Sequence, residues 1–593
     1  MKKIIFTNVV SYYSSEEYKV DLLGTLSLAT VLQKNKNYDV QILDFRYEYY
    51  KGRYQYSTNF NEEVENMCAY LLDRNPDVID IYTMCDTYHI AIMLAKRIKE
   101  INKDIKIVFG GPQATLTANA TLEAFPWIDV IGLGEGESSI EYIMENLLEN
   151  KEFSDELGVA YLKEGKVVNN GLPALIEDLD QLPLLDYSYF ELDDKSEINI
   201  EAGRGCPFGC TFCSTKSFWQ RKFRLKSSRR IVDEVKRIKE NYDFKTYSFT
   251  HDLFTANKRK VLELCDLLIE ENLGIYWACS SRVDTLDEEM IAKMAESGCK
   301  TVFLGIETGS KRMQKLLKKN LDISKVYDVV DLLIKYEIDY KLSFIYGFPN
   351  ETEEDVRDTL NLIDKLSRKN LSLNNVLLLH RLAFFSGTEL SNNHFDEMEY
   401  SEKRNTTMMY GEELPEIVLN MIKEHKEVFI QFYEYETELR TRLEWLEKFM
   451  PFIYLRTLKR YKVTYSLLLQ YYNDDILQMF YDYKDCELDT LEVVSAYNLN
   501  VGENKLFRAY ESVKDFAQKA NFGELDKLIK QVALFEYNVA NLLHNAEETE
   551  KIVEFELDVY EVIRTRQVTE MNQKTKIKFS RTDRSNVNVV KVS

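Results

Sequence analysis

Along the first 150 residues, short runs of β-branched and aromatic residues alternate with longer stretches whose apolar positions recur every three or four residues. The short runs predict strands over Ile4–Thr7, Asp39–Asp44, Val78–Tyr82, Lys106–Phe109 and Asp129–Ile131. The longer stretches predict helices over Leu22–Gln33, Glu62–Arg74, His89–Ile101 and Ser138–Leu148,. Five strands separated by helices imply a doubly wound parallel sheet, Rossmann-like in class, whose ligands sit beyond the strand carboxyl ends. Those ends carry Thr83-Met84-Cys85, Gly110-Gly111-Pro112 and Gly134-Glu135-Gly136-Glu137. Glycine pairs there let the backbone approach a large flat ligand closely. Tight turns with no ligand are the alternative.

Residues 151–197 read as a connector, with a small hairpin over Gly158–Val168 and an extended crossing segment through Leu179–Pro183. From Ile198 the alternation restarts. Strands are expected over Ile198–Glu201, Thr246–Thr250, Ile275–Ser280, Val302–Ile306, Lys341–Tyr346 and Asn375–Arg381. Ser228 opens a helix whose Ile231, Val232, Val235 and Ile238 share one face. Six strands in βα alternation over 198–390 fit a partial (β/α)6 barrel, with functional residues at the C-terminal strand ends. Residues 391–593 lose the alternation and read as mainly α-helical, with helices over Glu416–Glu434, Leu439–Met450 and Leu525–Ala546. Their dense Tyr, Phe and Leu at helical spacing indicate core rather than a cofactor box. The tail after Arg566 alternates polar and apolar residues, as a short edge strand or an unstructured end would.

Composition narrows the class. No apolar run in the 593 residues approaches the ~18 of a membrane span,. Met1-Lys-Lys-Ile-Ile-Phe-Thr-Asn8 reads as a first strand rather than an export signal. The net charge of −22 comes from 98 acidic against 76 basic residues and argues against general affinity for nucleic acid,. Nine cysteines are an odd count. Six of them (Cys68, Cys85, Cys265, Cys279, Cys299, Cys486) lack disulfide-like regularity and read as reduced core residues of a cytoplasmic protein.

The other three, Cys206, Cys210 and Cys213, lie within the run Arg204-Gly-Cys-Pro-Phe-Gly-Cys-Thr-Phe-Cys213. Three sulfurs so close leave one over after any disulfide. They can instead wrap one cubane iron–sulfur cluster and leave its fourth iron open to a small molecule. A zinc site or a set of buried thiols is the alternative, but zinc wants a fourth ligand and no His or Cys lies between Cys213 and His251,.

Cys206-x3-Cys210-x2-Cys213 after a first barrel strand, with Phe212 beside the last cysteine, resembles the signature of the radical S-adenosylmethionine (SAM) superfamily. The strand ends that follow agree in order: Phe249–Thr255, Ser281-Arg-Val-Asp284, Gly305–Ser310 and Gly347–Thr352. The unit over 1–150, with Gly110-Gly111-Pro112 and Gly134–Glu137, is similar to the cobalamin-binding domain that precedes many such barrels. Together the resemblance spans about residues 1–390.

The resemblance implies a [4Fe–4S] cluster on the three cysteines, with SAM chelating the open iron. It also implies SAM contacts from Phe212, Asp252, Ser281, Arg282 and Glu307; for Arg282 the alternative is an ion pair with Asp284 or Asp287. Cobalamin would lie against Thr83, Met84, Gly110, Gly111, Pro112, Gly134, Glu135 and Gly136. The first loop, Asn8-Val-Val-Ser-Tyr-Tyr-Ser-Ser15, lacks the family's usual His, so cobalamin is expected to bind without a His below cobalt. His89 could substitute, but an ordinary helix residue is the preferred reading. His251 is a weak acid/base candidate. The basic run from Lys216 to Arg230 reads as a solvated face, or as a surface that steers an acidic substrate or touches cobalamin's propionamides and phosphate.

The implied function is a cobalamin-dependent radical SAM enzyme, most simply a C-methyltransferase acting on a peptide or natural-product substrate. Its electrons would come from a donor such as flavodoxin or ferredoxin. Alternatives keep both cofactors but end in rearrangement, cyclisation, epimerisation or crosslinking. Less favoured are a tRNA methylthiotransferase, for which cluster cysteines are too few, and a non-catalytic sensor.

Overall fold

The computed structural model of the chain describes every residue except 10–21, 193–196, 243, 370–373, 402–413, 487–502, 545–549, 560–561, 564–573, 583–585 and 593. Most of the loop over Asn8–Ser15 and the start of the polar tail therefore lie outside the described residues. The chain divides into two compact units, Met1–Ile306 with Gln314–Lys341 and Leu382–Glu436, and Glu307–Met313 with Leu342–Arg381 and Thr437–Ser593.

In the first unit, strands β1 (Lys2–Asn8), β2 (Tyr38–Asp44), β3 (Val78–Tyr82), β4 (Lys106–Gly110) and β5 (Val130–Gly132) pair parallel in the order β2-β1-β3-β4-β5. The predicted hairpin, β6 (Val159–Lys163) and β7 (Lys166–Asn169), joins the β5 edge antiparallel, so it extends this sheet. One core face gathers Ile4, Phe6, Val78, Val108 and Val130 under Ala29, Leu32, Ile140, Ile143 and Met144 of the flanking helices. The intervening Ile5, Ile79, Ile107 and Ile131 are buried as well, so the strands are apolar on both faces, as parallel strands covered on both sides are,.

The second series begins with β8 (Ile198–Glu201). A two-residue strand, β9 (Gly203–Arg204), then pairs antiparallel with β10 (Arg224–Leu225) and closes the cysteine loop between them. Strands β11 (Thr246–Thr250), β12 (Tyr276–Ser281) and β13 (Cys299–Glu307) run parallel to β8. β14 (Asp339–Tyr346) and β15 (Val376–Arg381) complete six strands in chain order.

Two predicted helices are shorter than expected. The one from Glu416 ends at Glu424. Val428, Phe429, Ile430 and Phe432 are all buried, more than one helical face can hide, and the chain instead turns so that β17 (Tyr433–Glu434) pairs with β16 (Glu399–Tyr400),. The helix expected over Leu439–Met450 breaks at Trp445, whose φ of +82° separates Glu438–Arg442 from Leu446–Lys448.

In the second unit the aromatics are core: Tyr454 and Tyr465 meet at 4.6 Å, and Phe449 and Tyr483 at 4.9 Å. The buried Glu536 carboxylate, on the helix Asp526–His544, accepts from Val463 N (3.0 Å) and Thr464 N (2.9 Å) and caps the helix Lys462–Tyr471,. The polar tail is ordered more than its sequence suggested. β18 (Glu550–Phe555), β19 (Thr575–Arg581) and β20 (Val587–Val592) form an antiparallel sheet with β19 in the centre.

Candidate active site

The cysteine loop is held by backbone geometry. Gly205 has φ +83°, and a Cβ there would lie 2.0 Å from Lys222 O, so no side chain fits,. Thr211 N donates to Leu317 O (3.1 Å) and Leu390 N donates to Thr211 O (2.9 Å), tethering the loop on two sides. Cys210 is buried; Cys206 and Cys213 are half-buried. Burial pushes the Cys206 thiol up to about 11, and the nearness of Cys213 and Cys210 adds to this,. Among the described residues no three His, Cys, Asp or Glu side chains converge on a single metal ion. Three thiols on one short loop suit a cubane,.

Asp252, after β11, accepts from Gly205 N (2.9 Å) and Thr215 Oγ1 (3.4 Å), and burial raises its carboxyl against those hydrogen bonds. The Ser281 hydroxyl pairs with Thr255 Oγ1 at 2.5 Å, and Thr255 in turn with Thr285 at 2.6 Å. Arg282 takes the ion pair that the sequence offered, through Nε and Nη2 to Asp284 at 2.9 and 2.8 Å. Phe212 is half-buried beside Cys213. Glu307 belongs to the second unit, is buried and has φ +69°. There it faces His380, whose ring is held below its ordinary value by burial against the opposing charge of Glu307.

The strand-end loops of the first sheet also have internal roles. Thr83 Oγ1 donates to Gly110 O (2.7 Å) and accepts from Ala114 N (3.2 Å), stitching β3 to β4. Gly111 has φ +97°, and a Cβ there would lie 2.7 Å from Thr83 O. Pro112 opens the short helix Pro112–Leu116, Gly134 N is held by Thr115 Oγ1 (3.1 Å), and a Cβ on Gly136 would press on Leu28 at 3.1 Å. Met84 is 42% exposed.

Glu135 is enclosed: its carboxylate accepts from Arg204 Nη1 (2.8 Å) and Arg224 Nη1 (2.8 Å). Arg204 also reaches Glu137 (2.6 Å) and Glu201 (2.7 Å). Lys226 continues the chain to Glu201 (3.7 Å) and Glu234 (3.0 Å), and Arg230 reaches Glu234 (2.7 Å). Four carboxylates thus meet four cations. Burial alone would raise Glu137, but Arg204 beside it holds it below the ordinary carboxylate value.

Arg224, Lys226 and Arg230 are therefore not a solvated face. They are buried or half-buried ion-pair partners, while Arg229, next to Arg230 on the helix Ser228–Tyr242, does stay exposed. Sequence reasoning missed Arg204 and Arg224 because their partner Glu135 is 69 and 89 residues away.

Neither histidine candidate gains a catalytic setting. His89 is fully buried, stacked on Phe60 (5.9 Å) and edge-on to Phe432 (5.5 Å), so it is an ordinary helix residue. His251 accepts Leu253 N at Nδ1 (2.7 Å), and burial depresses it to about 4, so its ring stays neutral.

Two family models match the chain: the B12 binding domain over residues 14–143 and the radical SAM superfamily over residues 200–363. The chain carries a B12-binding domain followed by a radical SAM domain. The chain is 33% identical over 297 residues to an uncharacterized methyltransferase of Pyrococcus horikoshii, covering 49% of this chain and 65% of that one. It is 29% identical over 300 residues to the anaerobic magnesium-protoporphyrin IX monomethyl ester cyclase of Rubrivivax gelatinosus, covering 48% and 54%. The chain thus spans less than two thirds of the length of either relative. In fold it is similar to the cobalamin-dependent SAM radical enzyme OxsB with aqua-cobalamin bound, with a TM-score of 0.60 at 15% identity over 91% of this chain and 81% of that one.

The two domains imply a [4Fe–4S] cluster, SAM and cobalamin, and the residues fit. Three thiols on one glycine-tightened loop suit the cluster. At the carboxyl ends of β3 to β5, Gly111 and Gly134 let the strand-end loops pack closely: a Cβ would lie 2.7 Å from Thr83 O at the first and 3.3 Å from Leu172 and Pro173 at the second. Among the described residues no helix is long and apolar enough to cross a membrane.

Proposed function

We propose that this protein is a cobalamin-dependent radical SAM enzyme that methylates an unactivated carbon of a peptide or natural-product substrate. It would act in the cytoplasm, with electrons from a small donor protein such as flavodoxin or ferredoxin. The observation that carries the reading is the buried pairing of Arg204 with Glu135, which ties the loop entering the cysteine motif to a strand-end loop of the B12 domain. When bound, the cluster with SAM supplies a carbon-centred radical and cobalamin supplies a methyl group.

The protein's part is to hold, orient and exclude water. Cys206, Cys210 and Cys213 would ligate iron, and Asp252 fixes the loop entrance through Gly205 N. Phe212 and Ser281 would orient SAM. Thr83, Met84, Gly110, Gly111, Pro112, Gly134 and Gly136 would seat cobalamin; Glu135 would act from behind, through Arg204 and Arg224.

The test is anaerobic turnover with methyl-labelled SAM. Label in the product, with S-adenosylhomocysteine and 5′-deoxyadenosine both formed, supports the proposal. Label that never leaves the protein-bound corrinoid sinks it. The likeness to a cyclase favours a second reading, a radical cyclisation or rearrangement without methyl transfer. That reading requires 5′-deoxyadenosine without S-adenosylhomocysteine.

A further inference from the structure

Arg282 has more partners than an ion pair needs. Nε and Nη2 hold Asp284, Nη2 also donates to Lys319 O (2.9 Å), and Nη1 lies 3.9 Å from Cys210 Sγ. The guanidinium carbon sits 3.8 Å from the centre of the Phe208 ring, which belongs to the cysteine loop itself. The Arg282 side chain is 6% exposed and that of Asp284 27%. Solvent therefore screens the anion more than the cation, and a positive field remains at the sulfur.

We propose that Arg282 is a positioning residue of the iron–sulfur cluster, pressing Phe208 against the loop and raising the cluster's reduction potential through Cys210. A cation beside a cysteine ligand stabilises the reduced, more negative cluster, and hydrogen bonds to the sulfurs act in the same direction. Asp284 sets how much of that charge the cluster feels. This role is an alternative to the donation to SAM implied by family resemblance, and SAM affinity separates the two. The inference rests on the three cysteines holding a cluster.

The experiment is an EPR-monitored redox titration of the anaerobically reconstituted full-length protein without SAM, alongside SAM affinity by equilibrium binding. Arg282→Gln is expected to move the midpoint to more negative potential and leave SAM affinity within about twofold. Arg282→Lys should restore most of the shift. Asp284→Asn should move the midpoint the opposite way, a change that no loss of packing explains. An unchanged midpoint in both Arg282→Gln and Asp284→Asn, or SAM affinity lost tenfold with the midpoint unmoved, overturns the assignment. If Arg282→Gln fails to fold, the sign of the Asp284→Asn shift decides. If the unaltered protein takes up no iron, the cluster reading itself has failed, which iron analysis shows before any titration.

Discussion

Arg204 Nη1 and Glu135 Oε1 lie 2.8 Å apart with their side chains 5% and 0% exposed. They join two loops that the chain separates by 69 residues. Each ion is expensive to bury alone, and the pair is tolerated because Arg224, Glu137 and Glu201 complete its hydrogen bonds,. The pair sits immediately before the cysteine motif, so its geometry is inherited by Cys206.

Removing one partner strands the others. Glu135→Gln is expected to destabilise the protein by about 3–5 kcal/mol, the usual loss when a buried ion pair is halved. Denaturant unfolding measures it. A loss below about 1 kcal/mol, typical of an exposed pair, would show that the network is solvated.

The cluster ligands are separable from the remaining thiols. Cys206→Ala, Cys210→Ala or Cys213→Ala should each remove nearly all of the roughly four irons per chain expected of a cubane. Cys486→Ser, a half-buried thiol of the second unit, should leave iron content unchanged. Iron analysis and visible absorption after reconstitution read both outcomes.

Two glycines should resist substitution for steric reasons. Gly205→Ala places a methyl 2.0 Å from Lys222 O at φ +83°, and Gly111→Ala places one 2.7 Å from Thr83 O at φ +97°. The first should lower iron uptake. The second should weaken cobalamin retention about tenfold or more, on the order of 1.4 kcal/mol. Gly165→Ala, also at positive φ but with nothing within 4 Å of the added carbon, is the control for backbone strain alone.

Asp80 of β3 predicts a pH dependence. Burial alone raises its carboxyl to about 7, from 3.8. The folded state therefore holds this proton more tightly than the unfolded chain. The associated stability is full below about pH 4 and is lost as pH rises to about 7. Asp80→Asn should match the unaltered protein at pH 4 and exceed it at pH 8, by up to about 4 kcal/mol. Equal stabilities at pH 8 would mean that the carboxylate is solvated.

Much of this protein was legible in the chain. Strands such as Val78–Tyr82 and Thr246–Thr250 were placed to the residue, because a buried parallel strand between amphipathic helices leaves an unambiguous pattern,. The cysteine loop was legible because spacing within eight residues is local chemistry. Local signals failed where neighbours decided. Trp445 adopts φ +82° and breaks a helix that its sequence supports, and in the tail, read as an edge strand or an unstructured end, β19 lies between β18 and β20.

The sequence by itself determined the order of βα units, the three thiols and the glycines that bare the main chain. These follow from side-chain periodicity, spacing and the missing Cβ. Only the tertiary structure decided the partners of charge. Arg224, Lys226 and Arg230 look solvated in sequence and are ion-paired in the fold; Glu135 looks like a ligand contact and is a latch. Charged residues carry no periodic mark of their partners, since a carboxylate can pair with any cation that folding brings within about 4 Å.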